Sequence, residues 1–299
     1  MPASSRHHRL PCWICRRDGK QGCLVGGLAR TVLHRQRPFG WQRDYSRGHQ
    51  RNREPHGMSI GTVYGVGLGS GDVDLLSVRA DRLVRNAKII AYFRKAGKKG
   101  QARRLADPLI PADALEIPME YPVTTEIPLD DPRYNEVLSH FYEDSCATLR
   151  THLDAGHDIV VLCEGDPFFY GSFMHLHSRL MADYNVEVVP AITGMSGAWT
   201  ATNQPITWGD DILTVLMGTL DQDTLTARMK STDALVVMKI GTNFPKVRQA
   251  LRDANLYDRA WMVQYATMPD QSVTKLSEFQ GDKVPYFTII VVHGQGRRP

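Results

Sequence analysis

The chain has 299 residues, enough for one large domain or two ordinary domains with apolar cores. Residues 1–57 hold 12 of the 36 Lys and Arg residues but only 3 of the 32 Asp and Glu residues, so their net charge is +9 and that of residues 58–299 is −5. Because the larger part is mildly acidic, we expect it not to bind nucleic acid.

Residues 1–57 form a basic leader without a sustained period of 2 or 3.6. Its one apolar patch, 24–29, is too short for a secretory signal or a membrane span. The composition changes at Met58, where we expect the biological start, with a disordered or non-native leader before it. The alternatives are a basic arm for nucleic acid or membrane, or a zinc site. The zinc ligands would be Cys12, Cys15, Cys23 and His34.

After Met58, the pattern predicts a strand at 62–66, a helix at about 74–86 and a second strand at 88–92. Such a βαβ unit makes the two strands a parallel pair. A glycine-rich loop, GVGLGSGD at 65–72, joins the first strand to the helix, and it fits a dinucleotide-binding fingerprint only partly. Asp72 or Asp74 can cap the helix.

The run at 93–104 carries six Lys and Arg residues, including Arg94 and Lys95. It is typical of a solvated helix face, and the alternative is a patch that binds an acidic substrate. Prolines then predict an extended segment at 116–128, and apolar periodicity predicts a helix at 132–155.

The stretch 159–170, IVVLCEGDPFFY, predicts a buried parallel strand at 159–163 and a break after it at Gly165-Asp166-Pro167. Ligands bind at the carboxyl ends of strands in open α/β sheets, and the alternative is an ordinary strand-to-helix loop. A helix at 172–183 follows, in which His175 and His177 lie on different faces and are poor metal partners. Cysteines 146 and 163 are predicted to be reduced core residues.

A short strand at 187–189 precedes a run of small residues at 191–198, which would let a helix begin close to a ligand. A second series of elements then begins, with strands at 212–217, 234–239, 261–265 and 287–292 and helices at 221–230 and 243–254. We therefore predict two α/β domains, at 58–206 and 207–299, with a cleft between them.

Several separated motifs resemble the tetrapyrrole methylases, a two-domain class of S-adenosylmethionine-dependent methyltransferases. Within that family the resemblance is strongest to methylases of cobalamin biosynthesis, and it covers about 60–294. The motifs are GVGLGSGD, AYFRKAGKKG, EYPVTTEIP, CEGDPFFYGSF, VPAITGMSGAWTA, VLMGTL, MKIGTNF and QYATM.

The resemblance implies a parallel-sheet N-terminal domain and a mixed-sheet C-terminal domain, with the active-site cleft between them. The methyl donor S-adenosylmethionine would bind in that cleft, and the glycine-rich loop would border the tetrapyrrole with Gly67 and Gly69. Ser70 stands where the family usually has proline, which loosens that loop and its donor contact. The donor contacts carried over are Ser70, Glu164, Gly165, Asp166, Pro167, Phe169, Thr193, Gly194, Ile240 and Gly241.

The electron-rich meso carbon of a reduced tetrapyrrole can attack the sulfonium methyl directly, so the protein mainly aligns the reactants. A base is needed afterwards to remove a proton, and Asp72 is the candidate. Arg94 and Lys95 would pair with substrate carboxylates. The resemblance implies a cytoplasmic homodimer with a small-molecule substrate, no metal and no membrane partner. The alternatives are a cobalt-bearing substrate, methylation of another tetrapyrrole carbon, and a non-catalytic module that has kept the cleft.

Overall fold

The computed structural model describes residues 59–122 and 131–298. All of them belong to the second of two compact units, Pro55–Pro299. The predictions for the leader and for 123–128 of the extended segment lie outside the described residues.

The first sheet has five parallel strands in the order β3-β2-β4-β1-β5. Strand β4 is buried at every residue because it lies at the centre with a helical layer on each face. Its alternate residues therefore enter two different cores. The strands are β1 (Thr62–Gly67), β2 (Ile89–Lys95), β3 (Leu115–Tyr121), β4 (Ile159–Cys163) and β5 (Asn185–Val189).

The predicted pairing of the first two strands is wrong, because β4 lies between β1 and β2 and pairs with both. The handedness rule fixes the direction of a crossover connection and does not state which strand becomes the neighbour. The apolar strand β4 occupies the central position, where both of its faces are covered.

Five helices accompany this sheet along the chain. Helices α3 and α4 pack against one face of the sheet, and α1 and α2 pack against the other. The helix predicted from 74 instead begins at Val78, after a single 3-10 turn, because Ser77 Oγ accepts a hydrogen bond from Ala80 N. The helices are α1 (Val78–Arg85), α2 (Gln101–Leu105), α3 (Pro132–Asp154), α4 (Phe173–Leu180) and α5 (Gly194–Ala201).

The second sheet is mixed, in the order β6-β7-β10-β8-β9. Its first pair is parallel and the others are antiparallel. Sequence analysis did not predict β9, a four-residue edge strand of mostly polar residues. The elements are β6 (Leu213–Met217), α6 (Gln222–Lys230), β7 (Ala234–Met238), α7 (Phe244–Asp253), β8 (Ala260–Gln264), β9 (Ser272–Lys275) and β10 (Thr288–Val292).

The two sheets confirm the predicted fold class, two α/β domains of which one is parallel and one mixed. Helices α6 and α7 cover one face of the second sheet, and α5 packs against the other face through Ala198. Helix α5 precedes 206 in the chain and yet contributes to the core of the second sheet. The boundary at 206/207 stays a prediction. Within 59–122 and 131–298, no helix combines the length and apolarity that a bilayer crossing requires.

Candidate functional site

The loops that follow β1 and β4 lie side by side. The last residues of these strands, Gly67 and Cys163, are in register. Beyond them, Leu68 N donates to Cys163 O at 2.9 Å, and Gly69 and Gly165 exchange two backbone hydrogen bonds of 3.3 and 3.1 Å. The glycine-rich loop and the Gly165-Asp166-Pro167 loop therefore form a single surface at the carboxyl edge of the first sheet.

Gly67 lies at the centre of this surface and has no room for a side chain. A Cβ atom there would come within 2.6 Å of Ala191 Cβ, 2.7 Å of Gly165 O and 2.9 Å of Pro167 Cδ. Loops after three strands, β1, β4 and β5, meet at this point. Gly67 and the buried Pro167 therefore pack the loops against one another, whereas the prediction that Gly67 contacts the substrate stays a prediction.

The carboxylate of Asp166 holds two of these loops. Its Oδ1 accepts from Phe168 N at 2.9 Å, and its Oδ2 accepts from Ala191 N at 2.9 Å. The first bond shapes its own loop, and the second ties that loop to the one after β5. Asp166 thus braces the site through both of its oxygens.

Two of the glycines predicted to contact the donor face open space. Gly165 (φ +65°) and Gly241 (φ +37°) have no heavy atom within 4 Å of the position where a Cβ would stand. Each follows the carboxyl end of a strand, β4 in one domain and β7 in the other. An approaching molecule can reach the backbone at both positions, so these predicted donor contacts fit a bound small molecule.

The loop after β8 contacts the glycine-rich loop across the two domains. Thr267 Oγ1 donates to Ser70 Oγ at 3.0 Å, and Ser70 is buried. A Cβ at Gly71 would come within 2.5 Å of Met268 Cγ. The serine at this position is therefore hydrogen-bonded to the second domain.

A second contact between the domains joins Glu164 and Tyr286, whose hydroxyl donates to Glu164 Oε2 at 3.3 Å. Burial raises the pKa of the Glu164 carboxyl, and hydrogen bonds from Tyr286 and from the backbone of Ala102 oppose that rise. The nearby Glu164 charge in turn raises the pKa of the Tyr286 hydroxyl.

Four residues around the site have positive φ although they are not glycine. They are Tyr170 (φ 56°), Lys239 (φ 53°), Tyr265 (φ 51°) and Thr267 (φ 64°). Lys239 Nζ lies 5.9 Å from the centre of the Tyr170 ring, a further contact between the domains. Such backbone conformations cost energy and are concentrated at functional sites.

Helix α5 begins at the second predicted donor turn. Thr193 is its N-cap, with Oγ1 accepting from Ser196 N at 3.4 Å. Gly194 would place a Cβ 3.5 Å from Ile289 Cδ1, which is ordinary contact with the second sheet. Ile240 is fully buried in the core of the second domain, and the predicted donor contact of this residue stays a prediction. Phe169 stacks edge-on with the ring of Tyr170, with centroids 5.0 Å apart.

Asp72, the predicted base, caps the 3-10 turn after the glycine-rich loop, where its Oδ1 accepts from Asp74 N at 2.9 Å. The structure therefore shows the capping role that the sequence also allowed. Proton removal by Asp72 stays a prediction.

Much of the basic run at 93–104 pairs with acidic residues of its own domain. Arg94 forms an ion pair with Glu120, and Lys99 lies 2.8 Å from Asp107. Arg103 donates to Glu116 through two nitrogens, at 2.7 and 2.8 Å. Strand β2 continues through Lys95, which is exposed, and α2 begins only at Gln101, so the run is not one helix. Substrate binding by Arg94 and Lys95 stays a prediction.

Four further residues that the second domain brings to the site were not singled out from the sequence: Lys239, Thr267, Met268 and Tyr286. Lys239 lies in the family motif MKIGTNF, and Thr267 and Met268 lie in QYATM. Tyr286 lies in an irregular segment before β10. Among the residues that the structure describes, no group of three His, Cys, Asp or Glu side chains could hold a metal ion.

Comparison with known proteins adds independent information. The sequence profile of the tetrapyrrole (corrin/porphyrin) methylases matches residues 62–280. The chain is 44% identical over 243 residues to a precorrin-2 C(20)-methyltransferase from Sinorhizobium sp, which covers 81% of this chain and 99% of that protein.

Two more distant similarities are to a protein sequence and to a solved structure. A cobalt-precorrin-2 C(20)-methyltransferase from Salmonella typhimurium is 26% identical over 79% of this chain and 97% of its own length. The crystal structure of a uroporphyrin-III C-methyl transferase from Thermus thermophilus complexed with S-adenyl homocysteine has a TM-score of 0.56 at 21% identity, covering 78% of this chain and 97% of that one.

Proposed function

The chain belongs to the tetrapyrrole (corrin/porphyrin) methylases, and we propose that it transfers a methyl group from S-adenosylmethionine to C(20) of precorrin-2. The product would be precorrin-3A, an intermediate of cobalamin biosynthesis. The observation that carries this proposal is the 44% identity to a precorrin-2 C(20)-methyltransferase, which extends over 99% of that relative.

The geometry of the cleft supports binding of the donor. Open space at Gly165 and Gly241 gives access to the backbone of both domains. Asp166 fixes the loop on which Gly165 lies, and the contact between Ser70 and Thr267 fixes the loop beside it. These residues can hold a small molecule between the domains in a defined orientation, which is the main requirement of a direct methyl transfer.

The donor supplies an electrophilic methyl group on a sulfonium, and the substrate supplies an electron-rich meso carbon. The protein then has to exclude water, align the two reactants and accept the proton that the meso carbon loses. None of these tasks requires a covalent nucleophile of the protein.

A cobalt-bearing substrate is the second candidate within the family. The relative from Salmonella typhimurium that carries this activity in its name is 26% identical, whereas the relative named for the metal-free substrate is 44% identical. The difference favours precorrin-2. We also propose that the enzyme is a cytoplasmic homodimer.

Two measurements on the full chain test the proposed function. Calorimetry is expected to show micromolar binding of S-adenosylhomocysteine. Turnover is then compared for precorrin-2 and its cobalt(II) form with the same donor, and kcat/KM is expected to be higher for precorrin-2. Donor binding without turnover of any tetrapyrrole would favour a non-catalytic module. A higher kcat/KM for the cobalt form would show that cobalt-precorrin-2 is the preferred substrate.

A further inference from the structure

Three carboxylates lie on the loops of the cleft, and they are used differently. Both oxygens of Asp166 accept backbone hydrogen bonds, and Asp72 caps a 3-10 turn. Glu164 instead reaches across the cleft to a side chain of the second domain, Tyr286. Glu164 is therefore the carboxylate of the three whose contact spans both domains.

We propose that Glu164 is the base that takes the proton from the methylated meso carbon, and that Tyr286 is a positioning residue that orients it. This inference rests on the proposed function and deepens it. It assigns to Glu164 a role in proton transfer in place of the donor contact expected from the family resemblance.

The position of Glu164 in the chain supports this role. It directly precedes Gly165, which faces open space, so its backbone lies beside a place where a ligand can approach. The exchange of hydrogen bonds between Gly69 and Gly165 holds that backbone against the glycine-rich loop. The hydroxyl of Tyr286, a residue that is 71% exposed, donates to this carboxylate from the second domain at 3.3 Å.

The charge environment suits a base. Burial raises the pKa of Glu164, which makes the carboxylate a stronger proton acceptor than an exposed one. The described groups that act on this carboxyl are the Tyr286 hydroxyl and the Ala102 backbone, and both favour its ionised form. Tyr121 and Cys163 are further titratable groups within its electrostatic reach, and the Glu164 charge raises the pKa of each.

The step balances without any co-reactant. The meso carbon forms a bond to the methyl group as the carbon–sulfur bond of the donor breaks, and the positive charge moves from sulfur to the tetrapyrrole. The carbon–hydrogen bond at the meso carbon then breaks, its electron pair returns to the ring system, and Glu164 becomes a neutral acid. The Glu164 proton is later lost to water.

Replacing Glu164 by Gln tests the proposal on the full chain, because Gln keeps the size of the side chain and cannot take a proton. We expect kcat with precorrin-2 to fall about 10²-fold, with the affinity for S-adenosylhomocysteine changed little. With precorrin-2 deuterated at C(20), the variant is expected to show a larger hydrogen isotope effect than the wild type, because proton removal becomes rate-limiting. Glu278→Gln, on an exposed turn, is the matched control.

Tyr286→Phe provides a second, milder test. The wild-type kcat is expected to fall as the pH falls through the raised pKa of Glu164, because the base must be ionised. Removing the Tyr286 hydroxyl raises that pKa further, so the falling limb of the profile moves to higher pH in the variant. A purely structural role of Tyr286 would lower the rate at all pH values alike.

Three results would overturn the inference while leaving the proposed function intact. The first is a wild-type kcat in Glu164→Gln. The second is a loss of affinity for S-adenosylhomocysteine in Glu164→Gln that is as large as its loss of rate. The third is a pH profile of kcat in Tyr286→Phe whose falling limb lies at the same pH as in the wild type. Failure of the proposed function itself would be recognised separately, because the wild-type chain would then not methylate precorrin-2.

Discussion

At the scale of single residues, Asp166 shows how much a sequence pattern leaves open. Its place in Gly165-Asp166-Pro167 indicated a site, and the structure places it in the site. Its hydrogen-bond partner Ala191, however, lies 25 residues further along the chain. Spacing alone cannot reveal that partner, so a carboxylate that braces two loops looks the same in the sequence as one that contacts a ligand.

Asp166→Asn is therefore predicted to weaken both the fold and the site. One side-chain oxygen becomes an NH2 group, which faces a backbone N–H and leaves it without an acceptor. The loss is expected to be about 1–3 kcal/mol in the free energy of unfolding, measured in urea. S-adenosylhomocysteine is expected to bind less tightly, because the loops after β4 and β5 are no longer tied.

The matched control is Asp223→Asn, an exposed position in the first turn of α6. Unchanged stability and unchanged affinity in Asp166→Asn would show that the two hydrogen bonds do not brace the site.

At the scale of elements, apolar patterns predicted most of the strands, prolines predicted the extended segment that contains most of β3, and β9 was missed. The apolar run at 159–163 coincides with β4. These patterns do not give the order of the strands in the sheet. Strand β4 enters between β1 and β2 although about a hundred residues separate it from the first of them. Nor do they show that the backbone of Leu76 is extended. This residue separates the 3-10 turn from α1, where a single helix was predicted.

Contacts between loops are equally hidden from the sequence, and the pair Ser70 and Thr267 can be tested directly. We expect a double-mutant cycle with Ser70→Ala and Thr267→Val to give a coupling energy of about 0.5–1.5 kcal/mol in urea unfolding. Valine keeps the branched Cβ at the positive φ of position 267, so the cycle isolates the hydroxyl pair.

The same variants are expected to raise the KM for precorrin-2, because the glycine-rich loop loses its anchor on the second domain. Thr214→Val removes a comparable hydroxyl contact, to Thr232 at 2.8 Å, within the second domain. This control is expected to lower stability and to leave KM unchanged. Additive effects of Ser70→Ala and Thr267→Val would contradict the proposed coupling.

At the scale of the whole molecule, two α/β domains were predictable because strands and helices alternate in two successive series. The packing of α5 was not, since this helix lies before 206 in the chain and yet buries Ala198 against the second sheet. The small residues of α5 predicted that other groups approach this helix closely. In the structure, a Cβ atom at Gly197 would come too close to Ser70 and Thr267. The residues of the cleft thus come from both domains, and Tyr286 of the second domain lies outside every motif that the sequence offered.

The proposed function requires that this cleft directs a methyl group to one meso carbon. Its most direct test is incubation of the full chain with precorrin-2 and S-adenosylmethionine labelled with carbon-13 in the methyl group, followed by NMR of the product. We expect one new labelled methyl signal, bonded to C(20). A label at any other carbon, or no labelled product from an enzyme that binds S-adenosylhomocysteine, would contradict it.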